Sequence, residues 1–509
     1  MVRSGATQAK TQAGIAAGHT LTAQAGAEVL AEGGTAADSA LAALLTACVC
    51  EPVLASPAGG GFAMVSPSAS AGGRPSCLDF FVHTPKHPGA RRDDGLSAIQ
   101  ADFGGVMQNF HIGPGSVAAP GFLPGLFALQ ERFGKLPLVR LAEFAIALAK
   151  EGVRVTPYQA RLSQIVGPIL QATPEARALH TRENKLFATG DVFFNPALAD
   201  ALDAITREGL RIATHGEIAH LILDATHGGH LCLEDLQGYA PKWRDPLFRK
   251  LDRGKDKPSL DLATNPPPSA GGGLIAAILA QYEGGDRYDP LAFAKALDAV
   301  DQRWRKLGKP AGFDDRMMAA EPGRIAQKGT THVSVIDKSG MAVAITVSNG
   351  EGNGAIVPGC GFMLNNMLGE DDLLANGPGS WQPDQRLASM MAPTLVADAR
   401  GGLLALGSGG SNRIRSAMAQ VLLRWGVHGQ ALEDAIRAPR LHVEDGHLDV
   451  EPNQDPELLQ RAFEDHRVWD APSMFFGGAH GVERKVNADG RVSLEGAGDE
   501  RRDGVFVRV

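Results

Sequence analysis

The densest chemistry in the chain is Gly329-Thr330-Thr331-His332-Val333-Ser334-Val335, two adjacent hydroxyls beside an imidazole. Read alone, Thr-Thr-His ahead of β-branched residues is the edge of a strand, and a threonine hydroxyl is a poor nucleophile unless a base stands next to it. A second cluster is the loop Gly407-Ser-Gly-Gly-Ser-Asn-Arg413. A glycine loop ahead of a helix can cradle a phosphate on its N–H groups. This one lacks the Gly-Lys-Ser/Thr ending of a P-loop and the GxGxxG spacing, which argues against a nucleotide. A third cluster is Asn365-Asn366 with the acidic run Glu370-Asp-Asp372, and a charge run by itself is a solvated face. The five cysteines (Cys48, Cys50, Cys77, Cys232, Cys360) are odd in number and form no CxxC pair. They read as free, mostly buried thiols; neither a zinc site nor a disulfide framework is expected.

The elements around these residues fall into two parts. The first half reads mainly as helices punctuated by glycine: Thr20 to Glu32, Thr35 to Val49, Pro120 to Phe133, Val139 to Glu151 and Glu217 to Ala225. Thr35 reads as an N-cap with Asp38 three positions on, a carboxylate form of the capping box. The Pro/Gly segment Asn265 to Gly273 breaks regular structure before a helix from Leu274 to Tyr282. After Lys328 the pattern changes. Thr331 to Ile336 and Ala342 to Ser348, with turn residues at Asp337-Lys-Ser-Gly340, read as a hairpin. A strand from Leu403 to Leu406, the glycine loop and a helix from Arg413 to Trp425 follow. This order predicts layered sheets covered by helices, folded as one body.

Of the 509 residues, 44% are hydrophobic and 21% charged, with a formal net charge of −8, so the chain has material for a large core and no basic block for nucleic acid. The longest apolar run, Leu41 to Cys50, is far short of the ~20 residues a membrane span needs. Met1 to Gln12 lacks the apolar stretch of a secretory signal, so a cytoplasmic location is expected.

Read in order, several stretches resemble the γ-glutamyltranspeptidase family of N-terminal-nucleophile enzymes. They are Ala17–Gly26, Glu51-Pro-Val-Leu-Ala-Ser-Pro-Ala-Gly-Gly-Gly-Phe62, Gly121–Gly125, Pro266–Gly272, Thr330-Thr-His332, Leu364-Asn-Asn366, Gly407–Ile414, Ala438-Pro-Arg-Leu-His442 and Glu495–Asp499. The resemblance implies an α/β (α+β) fold, the four-layer αββα sandwich. It also implies self-cleavage between Gly329 and Thr330 into Met1–Gly329 and Thr330–Val509, two subunits of one intertwined body. Thr330 would then be the nucleophile, with its own new α-amino group as base; such amines ordinarily titrate at about 7.7–8.0. By the same resemblance Ser348 hydrogen-bonds the nucleophile, Gly410 and Ser411 give main-chain N–H groups to the oxyanion, and Asn349 and Glu370 fall where the glutamyl amino acid binds. No cofactor and no metal is implied. The partners are a small amide or peptide substrate, with no nucleic acid and no membrane; a higher homo-oligomer stays open.

Three positions depart from a γ-glutamyl pocket. The family's carboxylate-binding arginine follows a strand of the type Leu-Asp-Phe-Arg, and this chain has Leu78-Asp-Phe-Phe81. A family serine pair is Ala388-Ser389, and the residue after the Asn pair is Met367 where the family has glutamine. The stretch from Asn366 to Ser389 is also short for a lid. Arg91, Arg92 and Arg386 are the cations that could replace the missing one. The expected function is thus a self-processing amidohydrolase or acyltransferase acting on γ-glutamyl or related amides through an acyl-Thr330 intermediate. An acylase for another acyl group is the alternative, and an uncleaved, non-catalytic binding protein a third reading.

Overall fold

The computed structural model describes residues 12–68, 72–88, 95–102, 107–254, 257–307, 329–370, 380–454 and 456–509. Two antiparallel sheets stack face to face. The first has seven strands in the order Lys242–Arg244, Ser76–Phe80, Gly60–Ser66, Ala342–Ser348, Thr330–Ile336, Gly14–Ala17 and Val505–Arg508. The second has six, Leu247–Leu251, Leu260–Thr264, Thr394–Ala397, Leu403–Gly409, Gly478–Val486 and Val492–Ala497. Small and aliphatic side chains fill the space between them, among them Ala16, Met64, Ile336, Ala344, Ala405 and Val482.

Helices cover both outer faces. Thr20–Ala31 and Ala36–Cys50 lie on the seven-stranded sheet, with Leu138–Glu151 packed outside Ala36–Cys50; Gly271–Gln281, Pro290–Lys306 and Arg413–Leu422 lie beyond the six-stranded one. This is the four-layer αββα sandwich. The expected capping box is present: the Thr35 hydroxyl accepts from the Asp38 N–H (3.1 Å), and the Asp38 carboxylate accepts from the Thr35 N–H (3.0 Å). The Asp337 carboxylate in the hairpin turn accepts from the Ala36 N–H at 2.9 Å, so the turn also satisfies a helix N-terminus.

The structure corrects the sequence reading in four places. The first half, though mainly helical, also supplies strands to both sheets, four of the seven in the first. The helix expected from Leu274 begins at Gly271, since its glycines let the backbone press against Met390 and Asn265. The strand from Leu403 continues to Gly409, taking part of the glycine loop into the sheet. The helix from Arg413 ends as an α-helix at Leu422 and loosens into a π-turn over Leu423–Val427. Cys48, Cys50, Cys77 and Cys360 are buried free thiols, and Cys232 is half-buried.

Candidate active site

Alternation along Thr330–Ile336 sends Thr330, His332 and Ser334 toward the second sheet, and Thr331, Val333 and Val335 toward the helices. Thr330 stands opposite Ser348 in the hairpin, and Ser348 stands opposite Gly60 on its other side. The Ser348 hydroxyl donates to the Gly329 carbonyl at 2.5 Å and accepts from the Gly350 N–H at 3.1 Å. In the unbroken chain Ser348 therefore holds the carbonyl preceding Thr330. The Gly329 N–H donates to Glu351 Oε1 at 2.8 Å, so both polar atoms of Gly329 are gripped by one short loop.

The glycine loop closes on the same point from the second sheet. A Cβ at Gly409 would lie 2.2 Å from the Thr330 carbonyl oxygen, so only glycine allows this approach. Gly410 has φ +121, a conformation L side chains rarely adopt, and Ser411 has φ +57 in the left-handed region. The loop then enters the helix Arg413–Leu422. The Arg502 guanidinium flanks both Gly409 and Gly410 and donates to the Met474 carbonyl through Nε (3.3 Å) and Nη2 (3.1 Å).

His332 is wholly buried, with Nδ1 at 2.7 Å from Thr346 Oγ1 and Nε2 at 2.8 Å from Ser334 Oγ. Burial, reinforced by His480, holds its pKa well below the usual imidazole range. It is a neutral strand residue tied to two hydroxyls. Behind the strand, Thr331 Oγ1 donates to Glu51 Oε2 (2.7 Å) and Thr22 Oγ1 to Glu51 Oε1 (2.9 Å). Burial pushes the Glu51 carboxyl up to about 7, against the pull of those two hydroxyls. Glu51 opens one of the family-like stretches, but nothing in the sequence points to its contact with Thr331, and nothing distinguishes Glu351 from other loop acids.

The other expected site residues differ in what their side chains meet. Asn349 Nδ2 donates to the Met363 and Leu364 carbonyls, each at 3.3 Å, and so braces its own loop. Its neighbour Gly350 is the residue packed against Asn366 Oδ1 and the buried Glu370 carboxylate. Asp371 and Asp372 lie outside the described residues, as do residues 373–379 of the segment read as a short lid. Ser389 is buried; its hydroxyl accepts from the Met391 N–H (3.1 Å), and its carbonyl accepts from Ser269 Oγ (2.7 Å). Phe81 is fully buried, stacked on Phe62 with centroids 5.5 Å apart, in an apolar cluster with Met367 and Leu368.

Arg386 reaches Phe81 and is held by internal partners. Its guanidinium donates to the Phe81 carbonyl and the Tyr239 hydroxyl, donates to the Ala240 carbonyl at 2.7 Å, and pairs with Asp79 at 3.5 Å. Arg91 and Arg92 lie outside the described residues.

The chain is similar to known proteins in sequence and in fold. The γ-glutamyltranspeptidase family pattern matches residues 22–302 and 294–509. The chain belongs to the γ-glutamyltranspeptidase family. Among members and relatives, it is 29% identical to the acylase ACY 1 proenzyme of Pseudomonas sp. (strain V22), covering 97% of this chain and 93% of that protein. It is 28% identical to the glutathione hydrolase 5 proenzyme of Rattus norvegicus, over 88% of this chain and 84% of the other. A glutathione hydrolase proenzyme of Pseudomonas aeruginosa is also 28% identical, over 84% and 82%. The fold matches that of cephalosporin acylase from Bacillus halodurans with a TM-score of 0.76, 21% identity, and coverage of 100% and 98%. This γ-glutamyltranspeptidase-family chain is accordingly an enzyme of the N-terminal-nucleophile fold, in a family that acts on small substrates.

Proposed function

We propose that this chain cleaves itself between Gly329 and Thr330, and that the new N-terminal Thr330 then hydrolyses or transfers amide-linked acyl groups. The observation that carries the reading is the Gly329–Thr330 peptide itself. Its carbonyl accepts from Ser348 Oγ at 2.5 Å, while the Gly409 backbone lies against the carbonyl of Thr330. In processing, Thr330 Oγ attacks the Gly329 carbonyl carbon, the C–N bond breaks, and the hydroxyl proton ends on the released amine. Water then opens the ester, leaving Met1–Gly329 and Thr330–Val509 as two subunits.

In turnover the Thr330 amine takes the Oγ proton as the acyl–Oγ bond forms and passes it to the leaving amine. The N–H groups of Gly410 and Ser411 would meet the developing oxyanion, each such donor typically being worth about 3 kcal/mol. Water or a second amine then takes the acyl group from Thr330.

γ-Glutamyl amides are the first substrate reading, supported by membership and by the buried Glu370 next to Gly350. The acylase reading is favoured by one specific observation: Phe81 is an aromatic core residue, and Arg386 beside it is spent on Asp79, Tyr239 and backbone carbonyls. The test of the nucleophile is a denaturing gel with N-terminal sequencing. Wild type should give two fragments, the smaller starting at Thr330. Thr330→Ala should stay one folded, inactive chain, and Thr330→Ser should still process. A wild-type enzyme that is active at full length would overturn the proposal.

A further inference from the structure

In processing and in turnover the same Thr330 oxygen attacks a carbonyl, so the acyl part of a donor must enter the place that Gly329 occupies in the unbroken chain. That place has a defined polarity. The carbonyl accepts from Ser348 Oγ, and the N–H on the adjacent carbon donates to Glu351 Oε1 at 2.8 Å. Glu351 is 3% exposed and is fixed by its own N–H, which donates to Asn366 Oδ1 at 3.0 Å. When Gly329 moves out, this carboxylate loses that donor and faces the vacated space.

The space continues into a cleft whose walls include Leu54, Leu162 and Phe475, with Arg161, Arg413 and Arg502 around it. Arg413 Nε and the Arg502 guanidinium are directed at the Phe475 and Met474 carbonyls, and Arg161 is exposed at the rim. Among the described residues the cleft is lined by three arginines and one acidic side chain, an excess of positive charge that disfavours an ammonium there. It favours a neutral amide N–H.

We infer that Glu351 selects acyl donors of the N-acylglycyl type, peptide-like groups with an amide N–H on the carbon next to the scissile carbonyl. This inference rests on Thr330 as the nucleophile. A γ-glutamyl group has only CH2 at that position and offers no N–H where Gly329 gives one to Glu351 Oε1. The reaction is the one already described: the Thr330 Oγ–acyl bond forms, the donor C–N bond breaks, and the hydroxyl proton passes through the Thr330 amine to the leaving nitrogen. Water then splits the ester into an N-acylglycine and the restored hydroxyl.

The decisive pair of substrates is the 4-nitroanilide of N-acetylglycine and that of 4-oxopentanoic acid, which differ only by CH2 in place of N–H. Processed wild-type enzyme should prefer the first by about ten- to hundredfold in kcat/KM, the range for a hydrogen bond to a charged acceptor. Glu351→Leu should bring the ratio near one, and Glu351→Gln should keep part of it. Equal rates in wild type, or an unchanged ratio in Glu351→Leu, would overturn the inference while leaving Thr330-dependent turnover intact. Hydrolysis that survives Thr330→Ala would overturn both readings together. The wild-type ratio decides the matter even if a Glu351 variant fails to fold.

Discussion

Two regions of this molecule answer to the same family pattern in opposite ways. Around the Gly329–Thr330 peptide, polar groups from several segments converge: Ser348 and Glu351 on Gly329, the glycine loop against Thr330, Glu51 behind Thr331. Around Phe81, where the family resemblance leads one to expect a carboxylate-binding arginine, side chains are apolar and close-packed, and Arg386 is taken up by internal partners. On the proposed reading the first region breaks the bond, and such chemistry constrains backbone positions to fractions of an ångström, so it tolerates little change. A substrate grip can be rebuilt elsewhere, because any donor of the right charge at the right distance will serve. The difference separates what the reaction requires from what one substrate requires.

The sharpest way to break this contrast is to force the family's arginine back. Phe81→Arg would place a cation against Phe62 and beside Arg386, and should lower unfolding stability by at least about 3 kcal/mol, the scale for an unpaired buried charge. In wild type, γ-glutamyl anilide should have a kcat/KM roughly two to three orders of magnitude below that of donors with an apolar group at that position. Efficient wild-type turnover of the glutamyl donor, unimproved by the arginine, would show that the carboxylate is held by another side chain.

A smaller effect probes the polar region. Glu51 has a folded pKa of about 7 against an ordinary value of 4.5, so between those values the native state binds more protons than the unfolded chain. Its contribution to stability therefore falls as pH rises through that window and stays lost above it. The shift corresponds to about 3 kcal/mol at most. Glu51→Gln gives up one hydroxyl hydrogen bond, worth about 1 kcal/mol, so a net gain of about 1–2 kcal/mol is expected at about pH 8 and none at about pH 4. Urea unfolding of both proteins at the two pH values measures it; a variant as pH-sensitive as wild type would show that another group titrates.

The smallest effect concerns the loop from the second sheet. Ser411 at φ +57 carries left-handed backbone strain that glycine would not. Ser411→Gly should raise stability by about 0.5–1 kcal/mol, after allowing for the freer unfolded chain. Thermal unfolding detects a change of this size, and a loss of stability would mean that the serine side chain contributes more than the strain costs.

The sequence made some of this readable and hid the rest for physical reasons. The hairpin over Thr330 to Ser348 and the Thr35–Asp38 box announce themselves because β-branching and side-chain caps act over a few residues. The strands Gly14–Ala17 and Gly60–Ser66 do not, because they are buried almost throughout and rich in glycine and alanine, with no alternation to read. At the site, Thr330, Ser348, Gly410 and Ser411 could be singled out through motif order, and they lie on the adjoining hairpin and glycine loop. Asn349 could be singled out by the same reasoning, yet its side chain is turned onto Met363 and Leu364. Glu51 opens a family-like stretch yet gives no sign of its role, and Glu351 carries no signal at all, since a carboxylate acquires its meaning from burial and from partners far along the chain, Thr331 in the case of Glu51.

The strand Gly14–Ala17 lies between Thr330–Ile336 on one side and Val505–Arg508 on the other, hydrogen-bonded to both. A cut at Gly329 would leave the first segment of one fragment clamped between two segments of the other. The two pieces could not part by dilution without tearing the sheet, so dissociation and unfolding would become the same event. The return path would change its kinetic order. An intact chain refolds at a rate independent of its concentration, whereas the nicked pair must first find each other, and its recovery after denaturation would scale with the amount of both fragments in solution. Processing would thus act as a one-way valve: assembly is easy before the cut and hard to repeat after it.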